Sequence, residues 1–427
     1  MPSPPSSPRS RVIPIVLAQA VGLACGVAGV KVASHLVPPA ALGSYGIFVT
    51  FAPLGMWVVH AGLIKFVGRH WGGSGRRAGL LRETVAAWAR RLPWLALAAG
   101  AATLAMGGMT AAAGLGMGLA LFAAAALLSL GALAQTALQA EGAHWRDSAV
   151  SASGSLLRTF APPLLFVLTG GATAALWAGF CGHAFVLAAA GAWALRSYWR
   201  RVPGAADGRR EITPVYDGPL FIALAFSSWA LNGLNRWVVL GFFGETNAGF
   251  YTLASGAAVL VPSMLGTVFM QYFQPSFFAL GDGPAPARSA LARRIDAVAL
   301  AHGVLSLAGV GVLALGAPWL IGPLISPKYN AALGWLLPAG CFGTAIFTGI
   351  FYHSMLLAGR RERACGPTDL ITAGVLAGGC LASAAAGQLW FARWLVATPL
   401  VPWLLTRPLA RWYFARPNAA SSPAPAP

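Results

Sequence analysis

Apolar runs of about 20 residues follow one another along nearly the whole chain, and no other feature so narrows what it can fold into. Twenty apolar residues in a helix match the hydrocarbon thickness of a bilayer. In that medium the backbone must satisfy its own hydrogen bonds, and runs this long do so as helices. Only 9% of the 427 residues are charged and 57% are hydrophobic, with a mean hydropathy of +0.67, whereas soluble domains carry about 25% charged residues. The sequence therefore predicts an all-α integral membrane protein. Spans are expected near 12–36, 42–65, 92–111, 115–136, 150–169, 173–195, 219–242, 247–274, 297–317, 333–356, 369–386 and 388–406, twelve in all. The first run is too long for the apolar core of a signal peptide and reads as an uncleaved span.

One stretch occurs twice. His35 to Val67 opens with Pro38-Pro39 and Leu42-Gly43-Ser44-Tyr45, then runs apolar to His60 and Lys65. Its relative is Leu240 to Pro262, in which Ala248-Gly249-Phe250-Tyr251 falls 206 residues later. Arg90-Arg91 likewise returns as Arg293-Arg294. The chain thus divides into a tail (1–11), a six-helix lobe (12–199), a basic linker (200–216), a second six-helix lobe (217–414) and a Pro/Ala/Ser-rich tail (415–427) expected to be disordered. Both copies start on the same side of the membrane. They are therefore parallel repeats about an axis along the membrane normal, an arrangement that puts a transport site between the lobes in proteins of this kind.

The formal charge is +18. In a soluble chain this would suggest nucleic acid; here the basic residues lie between apolar runs, so topology and anionic lipid account for them and no nucleic-acid partner is expected. With both termini in the cytoplasm, all 29 basic residues but Lys31, Arg236, Lys328 and Arg393 fall on or at the edge of that side. The segment 68–91 places Leu81, Val85, Trp88 and Leu92 at helical spacing, as an interfacial helix leading into the third span would. Of the five cysteines four lie inside apolar runs, with no metal or disulfide spacing. No cofactor and no metal are expected.

Three stretches carry a family likeness. HLVPPAALGSYGIFVTFAPL (35–54) resembles the first hairpin of polysaccharide exporters. LNRWVVLGFFGETNAGFYTLAS (234–255) is similar to their seventh-helix motif, and LQAEGAHWRDSAVSASGSLLRT (138–159) to their fourth-to-fifth helix connection. Together they resemble the Wzx-type flippases of the polysaccharide biosynthesis family, within the superfamily that includes multidrug antiporters and lipid II flippases. Where that family often has Asp before the seventh-helix Arg, this chain has Asn235. The resemblance implies transport of an undecaprenyl-pyrophosphate-linked oligosaccharide from the inner to the outer leaflet, by two lobes rocking around a central basic cavity. It places the protein, as a monomer, in a bacterial inner membrane, serving O-antigen, capsule or exopolysaccharide synthesis, with polysaccharide assembly enzymes as candidate partners.

Candidate site residues emerge from charge at depth. Arg236 and Lys31 lie near the outer ends of the seventh and first spans and, by the repeat, almost correspond. No carboxylate shares their helices, and an unpaired cation at depth faces an anionic ligand or snorkels to the interface. Arg158, Lys65 and His60 would extend a basic path inward, or serve as an interface anchor (Lys65) and a packed histidine (His60). Asn232, Asn235, Gln19 and Gln271 would bind sugar hydroxyls or bond between helices. Pro53 and Pro262 would act as hinges or as fixed kinks. Two other functions compete. A cation-coupled antiporter usually needs a carboxylate within the membrane, whereas all eleven acids here are expected in loops or at helix ends. A membrane glycosyltransferase or polymerase needs an acidic or metal-binding outer face, and only Glu245 lies there.

Overall fold

In this computed structural model of the protein, residues 8–71, 77–105, 111–199, 219–281, 285–359 and 361–415 are described. The linker and the C-terminal tail expected from the sequence lie outside them. The described residues are helical almost throughout: α1 (Pro8–Leu36), α2 (Pro39–His70), α3 (Arg77–Ala105), α4 (Ala111–Ala140), α5 (His144–Leu168), α6 (Thr173–Trp199), α7 (Pro219–Ala258), α8 (Leu260–Gly281), α9 (Ala285–Leu315), α10 (Leu336–Ala358), α11 (Glu362–Ala385), α12 (Gln388–Ala397) and α13 (Arg407–Ala415). Among the described residues nine helices are long and apolar enough to cross a membrane, or ten if α12 and the segment Pro402–Ala415, bent by 50°, form one broken span.

The remaining differences from twelve have local causes. The apolar stretch 233–270 is divided at Gly244, whose φ of 83° is left-handed backbone that suits glycine. The third span does not begin at 92. Its helix starts at Arg77 and absorbs the expected interfacial segment, because Leu80, Thr84, Ala87 and Leu95 form one buried face. The Trp88 indole donates to Ser129 Oγ on α4 at 2.6 Å. Pro399 and Pro402 break the last span, where Pro402–Thr406 forms a π-helical turn.

By contacts the helices form two units: residues 1–257 with 318–333, and 258–317 with 334–427. In unit 1, α4 packs on α2, α3 and α6, and α5 packs on α6 and α1. Phe48, Trp177 and Phe180 fill the space between α2 and α6, with Phe48 stacked on Trp177 at 5.9 Å. The segment 318–333 is fastened to the end of α1 and the turn after it. Ser326 N donates to Ser34 Oγ (3.3 Å), Lys328 Nζ to the His35 carbonyl (3.1 Å) and Tyr329 Oη to the Val37 carbonyl (3.1 Å).

The repeated motif meets itself in unit 1. A Cβ on Gly43 would collide with the Glu245 carbonyl oxygen, and one on Gly249 with the Pro39 carbonyl oxygen. Each glycine thus meets the carbonyl that stands four residues before the other glycine. The two contacts are one contact made reciprocally, as across a two-fold axis. Gly46 faces Thr252, its own counterpart in the repeat. Only glycine permits backbones this close.

In unit 2, α10 is the central helix, with α8, α9, α11, α12 and α13 around it. Buried His302 of α9 donates from Nε2 to the Pro262 carbonyl of α8 (3.0 Å), while Nδ1 meets Thr348 Oγ1 of α10 (3.1 Å). One imidazole thus joins three helices, and it holds Pro262 by a tie that no local pattern in the chain announces.

The glycine crossing yields a direct test. Gly249→Ala forces backbone apart and is expected to cost about 1–3 kcal/mol, read as a fall in Tm of the detergent-purified protein. Gly256→Ala, in the same helix but with nothing within 4 Å of the added Cβ, is expected to leave Tm unchanged or raise it.

Candidate functional site

Arg236 is the cation with the most developed surroundings. It lies half-buried on α7, and its guanidinium Nη2 donates to buried Ser255 Oγ at 3.0 Å. Its neighbour Asn235, 5% exposed, donates from Nδ2 to Tyr251 Oη at 2.7 Å. Asn235 Oδ1 also accepts the Arg236 backbone N–H at 2.8 Å. On the other side of Arg236, the Trp237 indole donates to Thr50 Oγ1 of α2 at 3.1 Å. Ser255 and Tyr251 stand four residues apart in the helical stretch beyond Gly244, so they present one face to the stretch that carries Arg236. The guanidinium is thereby held by neutral partners. No described carboxylate forms an ion pair with it. A cation so placed keeps its full charge for an anion and has several N–H groups left to donate.

The other residues singled out from the sequence are dispersed. Lys31 is exposed on α1, and no bond of its side chain joins it to Arg236; near it only its carbonyl is engaged, by Ser34 Oγ and His35 Nδ1. Arg158 is exposed on α5, close enough to Tyr45 and His183 to act on both electrostatically. Tyr45 is the repeat counterpart of Tyr251, so each motif tyrosine has a cation nearby. Gln19 is half-buried on α1. The side chains of His60, Lys65, Asn232 and Gln271 lie outside the described residues. Pro53 sits within α2, and Pro262 is buried near the start of α8.

The acids differ from expectation in one respect. Glu141 accepts the Trp71 indole at 2.7 Å and Asp147 accepts Gln139 at 3.0 Å, both at helix ends. Asp296 and Asp369, by contrast, lie well inside α9 and α11. Asp296 takes a two-pronged contact from Arg407 (3.1 and 3.0 Å) and a second from Arg411, while Asp369 Oδ2 meets His353 Nδ1 at 2.8 Å. The expected spans begin only at 297 and 369, because the arginines before them end the apolar run, whereas the helices themselves start earlier, at Ala285 and Glu362.

Sequence reasoning also missed Thr50, Trp237 and His302, whose partners lie on other helices, and Ser255, whose partner lies across the kink at Gly244. Only Tyr251 carried a signal, as part of the repeated motif. Among the described residues no group of three or more His, Cys, Asp or Glu could hold a metal ion.

No family model matches the chain, and no curated protein matches it either. Solved structures do. The fold is similar to that of a multidrug resistance MATE family transporter of the MOP superfamily in an inward-facing conformation, with TM-score 0.63, 14% identity, 93% of this chain and 94% of that chain covered. It is similar to a MATE protein in complex with MaL6 (TM-score 0.60, 15% identity, 95% of each chain). A third likeness is to a MOP superfamily transporter from Pyrococcus furiosus (TM-score 0.57, 14% identity, 95% and 94%). The chain therefore is a multi-pass membrane protein with the two-lobed helical fold of MOP superfamily transporters, and the structures it resembles are transporters rather than enzymes.

Ser255 tests whether the Arg236 setting matters beyond its charge. Ser255→Ala removes one hydrogen bond to a charged group, about 1.5–3 kcal/mol where the charge stays buried. It is expected to destabilise the detergent-purified protein by that order, read as a fall in Tm.

Proposed function

We propose that this protein is a flippase for an undecaprenyl-pyrophosphate-linked oligosaccharide. It carries the molecule from the inner to the outer leaflet of a bacterial cytoplasmic membrane, by alternating access, for synthesis of O-antigen, capsule or exopolysaccharide. Two six-helix lobes (12–199 and 217–414) move about a basic cavity, and both termini are cytoplasmic. The observation that carries the reading is Arg236, held inside unit 1 by a serine hydroxyl with no described carboxylate to neutralise it. A pyrophosphate is the kind of ligand such a guanidinium awaits, because planar N–H pairs match phosphate oxygens. Lys31 and Arg158 supply further positive charge, with Lys65 and His60 toward the cytoplasm. Asn232, Asn235, Gln19 and Gln271 are the polar groups for sugar hydroxyls, although Asn235 already holds Tyr251. Pro53 and Pro262 are the hinge positions. The protein works as a monomer among membrane lipids, without cofactor or nucleic acid, alongside polysaccharide assembly enzymes.

A second reading has a specific observation behind it. The solved structures of similar fold include proteins described as multidrug transporters, and Asp369 with His353 supplies a titratable pair within two helices. That reading is a cation-coupled multidrug antiporter. Reconstituted vesicles given a fluorescent lipid-linked oligosaccharide in one arm and ethidium in the other separate the two. Movement of the lipid-linked sugar alone supports the flippase; efflux of ethidium alone overturns it.

Arg236 gives the sharper test. In a strain lacking the gene, Arg236→Ala and Arg236→Gln are expected to abolish surface polysaccharide at normal protein level. Arg236→Lys is expected to restore part of it, since charge remains without the planar fork. Wild-type complementation by Arg236→Gln refutes the anion assignment. Orientation is checked separately: a cysteine placed within 205–210 is expected to resist an impermeant thiol reagent in intact cells.

A further inference from the structure

Asp369 lies seven residues into α11 and His353 five residues before the end of α10, so the pair sits roughly 8–10 Å inside the helix ends at 1.5 Å per residue. The two side chains touch at 2.8 Å and are 21% (His353) and 18% (Asp369) exposed. Around them the helices are packed: Phe351, Tyr352 and Met355 on α10 and Thr368 and Thr372 on α11 are buried. A carboxylate at such depth is costly without a partner. Here the partner is imidazole, the one side chain whose ordinary titration range brackets neutral pH. With the ring protonated, the pair is internally neutral. Without that proton, a lone negative charge is left in an apolar seam between two helices.

Among the described residues, no ion pair joins another charge to Asp369 or His353. Asp296 of α9 is occupied by Arg407 and Arg411 of α13, with Tyr352 of α10 facing the same carboxylate. Arg393 of α12 lies over the Trp390 ring at 4.9 Å, and Arg294 of α9 over Phe273 at 5.7 Å. The described part of α8 offers only exposed Tyr272. Among the described residues of α11, Cys365 also approaches, its Sγ 4.0 Å from the His353 carbonyl. Residues 352 and 353 therefore turn α10 toward two carboxylates on different neighbours, one locked by two arginines and one by a single exchangeable proton.

We propose that His353 and Asp369 form a proton-binding site of unit 2, and that one proton, bound or released there, closes or loosens the seam between α10 and α11. The site takes a proton whatever the protein carries; that this proton drives export rests on the flippase reading, and the distance measurement that tests the site does not depend on it. No bond other than the N–H of the imidazole is made or broken.

Spin labels attached through keto amino acids at Ile350 and Ile371, both exposed, leave the native cysteines in place and report the α10–α11 distance in the full-length protein in nanodiscs. Double electron–electron resonance at about pH 5 and about pH 11, a span wide enough to titrate an imidazole hydrogen-bonded to a carboxylate, is expected to show a change of about 1–2 Å, the scale of helix shifts. Asp369→Asn and His353→Gln are expected to abolish that change. Identical wild-type distributions at the two pH values overturn the proposal, as does a full pH response in the Asp369→Asn protein. If either variant fails to fold, the wild-type comparison alone decides. No transported molecule is present, so this outcome is separate from the result of the sugar-transport assay.

Discussion

Two glycines, Gly43 and Gly249, let the halves of the repeated motif cross at backbone contact, and much of unit 1 is arranged by that crossing. Each glycine faces the carbonyl four residues before the other. Because helices in lipid gain little from burying one apolar surface against another, close van der Waals packing must supply the attraction, and small residues give the closest approach. The crossing also sets which side chains meet further along each helix. It brings Thr50 of α2 to Trp237, and it accompanies the pairing of Tyr251 with Asn235 beside Arg236. The position of the candidate anion site is thus a consequence of two missing side chains.

Polar side chains in this protein are mostly engaged by other helices or by their own backbone. Trp88 meets Ser129, Gln135 meets Ser151, Thr372 meets Thr406, and His302 ties three helices together. Such bonds are modest individually, about 0.6 kcal/mol on average in membrane proteins, but they specify which helices are neighbours. Against that background two settings of arginine stand in contrast. Arg407 and Arg411 are matched by a carboxylate, and Arg236 is matched by a hydroxyl only. The difference is chemical rather than one of depth: the first setting is neutralised by a carboxylate of the protein, the second by none of the described ones.

The helices were legible because their signal is collective. Runs of apolar residues need no partner to be recognised, and even the break at Gly244 and the bend near Pro402 fall where the sequence carries a turn or prolines. Gly43 and Gly249 were visible as a repeat, although not as a contact. The start of α3 was not legible, because Arg82, Arg90 and Arg91 interrupt hydropathy while leaving helical packing intact. The surroundings of Arg236 were hidden for another reason. Thr50 acquires meaning only when a helix distant in sequence is set beside it, and Ser255 and Tyr251 only when α7 folds back at Gly244; a hydroxyl in an apolar run looks like any other small residue. Asp369 and His353, sixteen residues apart on consecutive helices, likewise gain meaning only from their contact.

The fastening of residues 318–333 to the end of α1 has a consequence for biogenesis. Unit 1 is not a continuous piece of chain: its last contacts, from Ser326, Lys328 and Tyr329, are synthesised after α8 and α9 have emerged. The carbonyls of His35 and Val37 are made nearly three hundred residues of translation before the donors that will cap them. Insertion of the first hairpin and completion of its surroundings are therefore separated in time, and a nascent chain halted before this segment would hold α1 chiefly by its packing on α5.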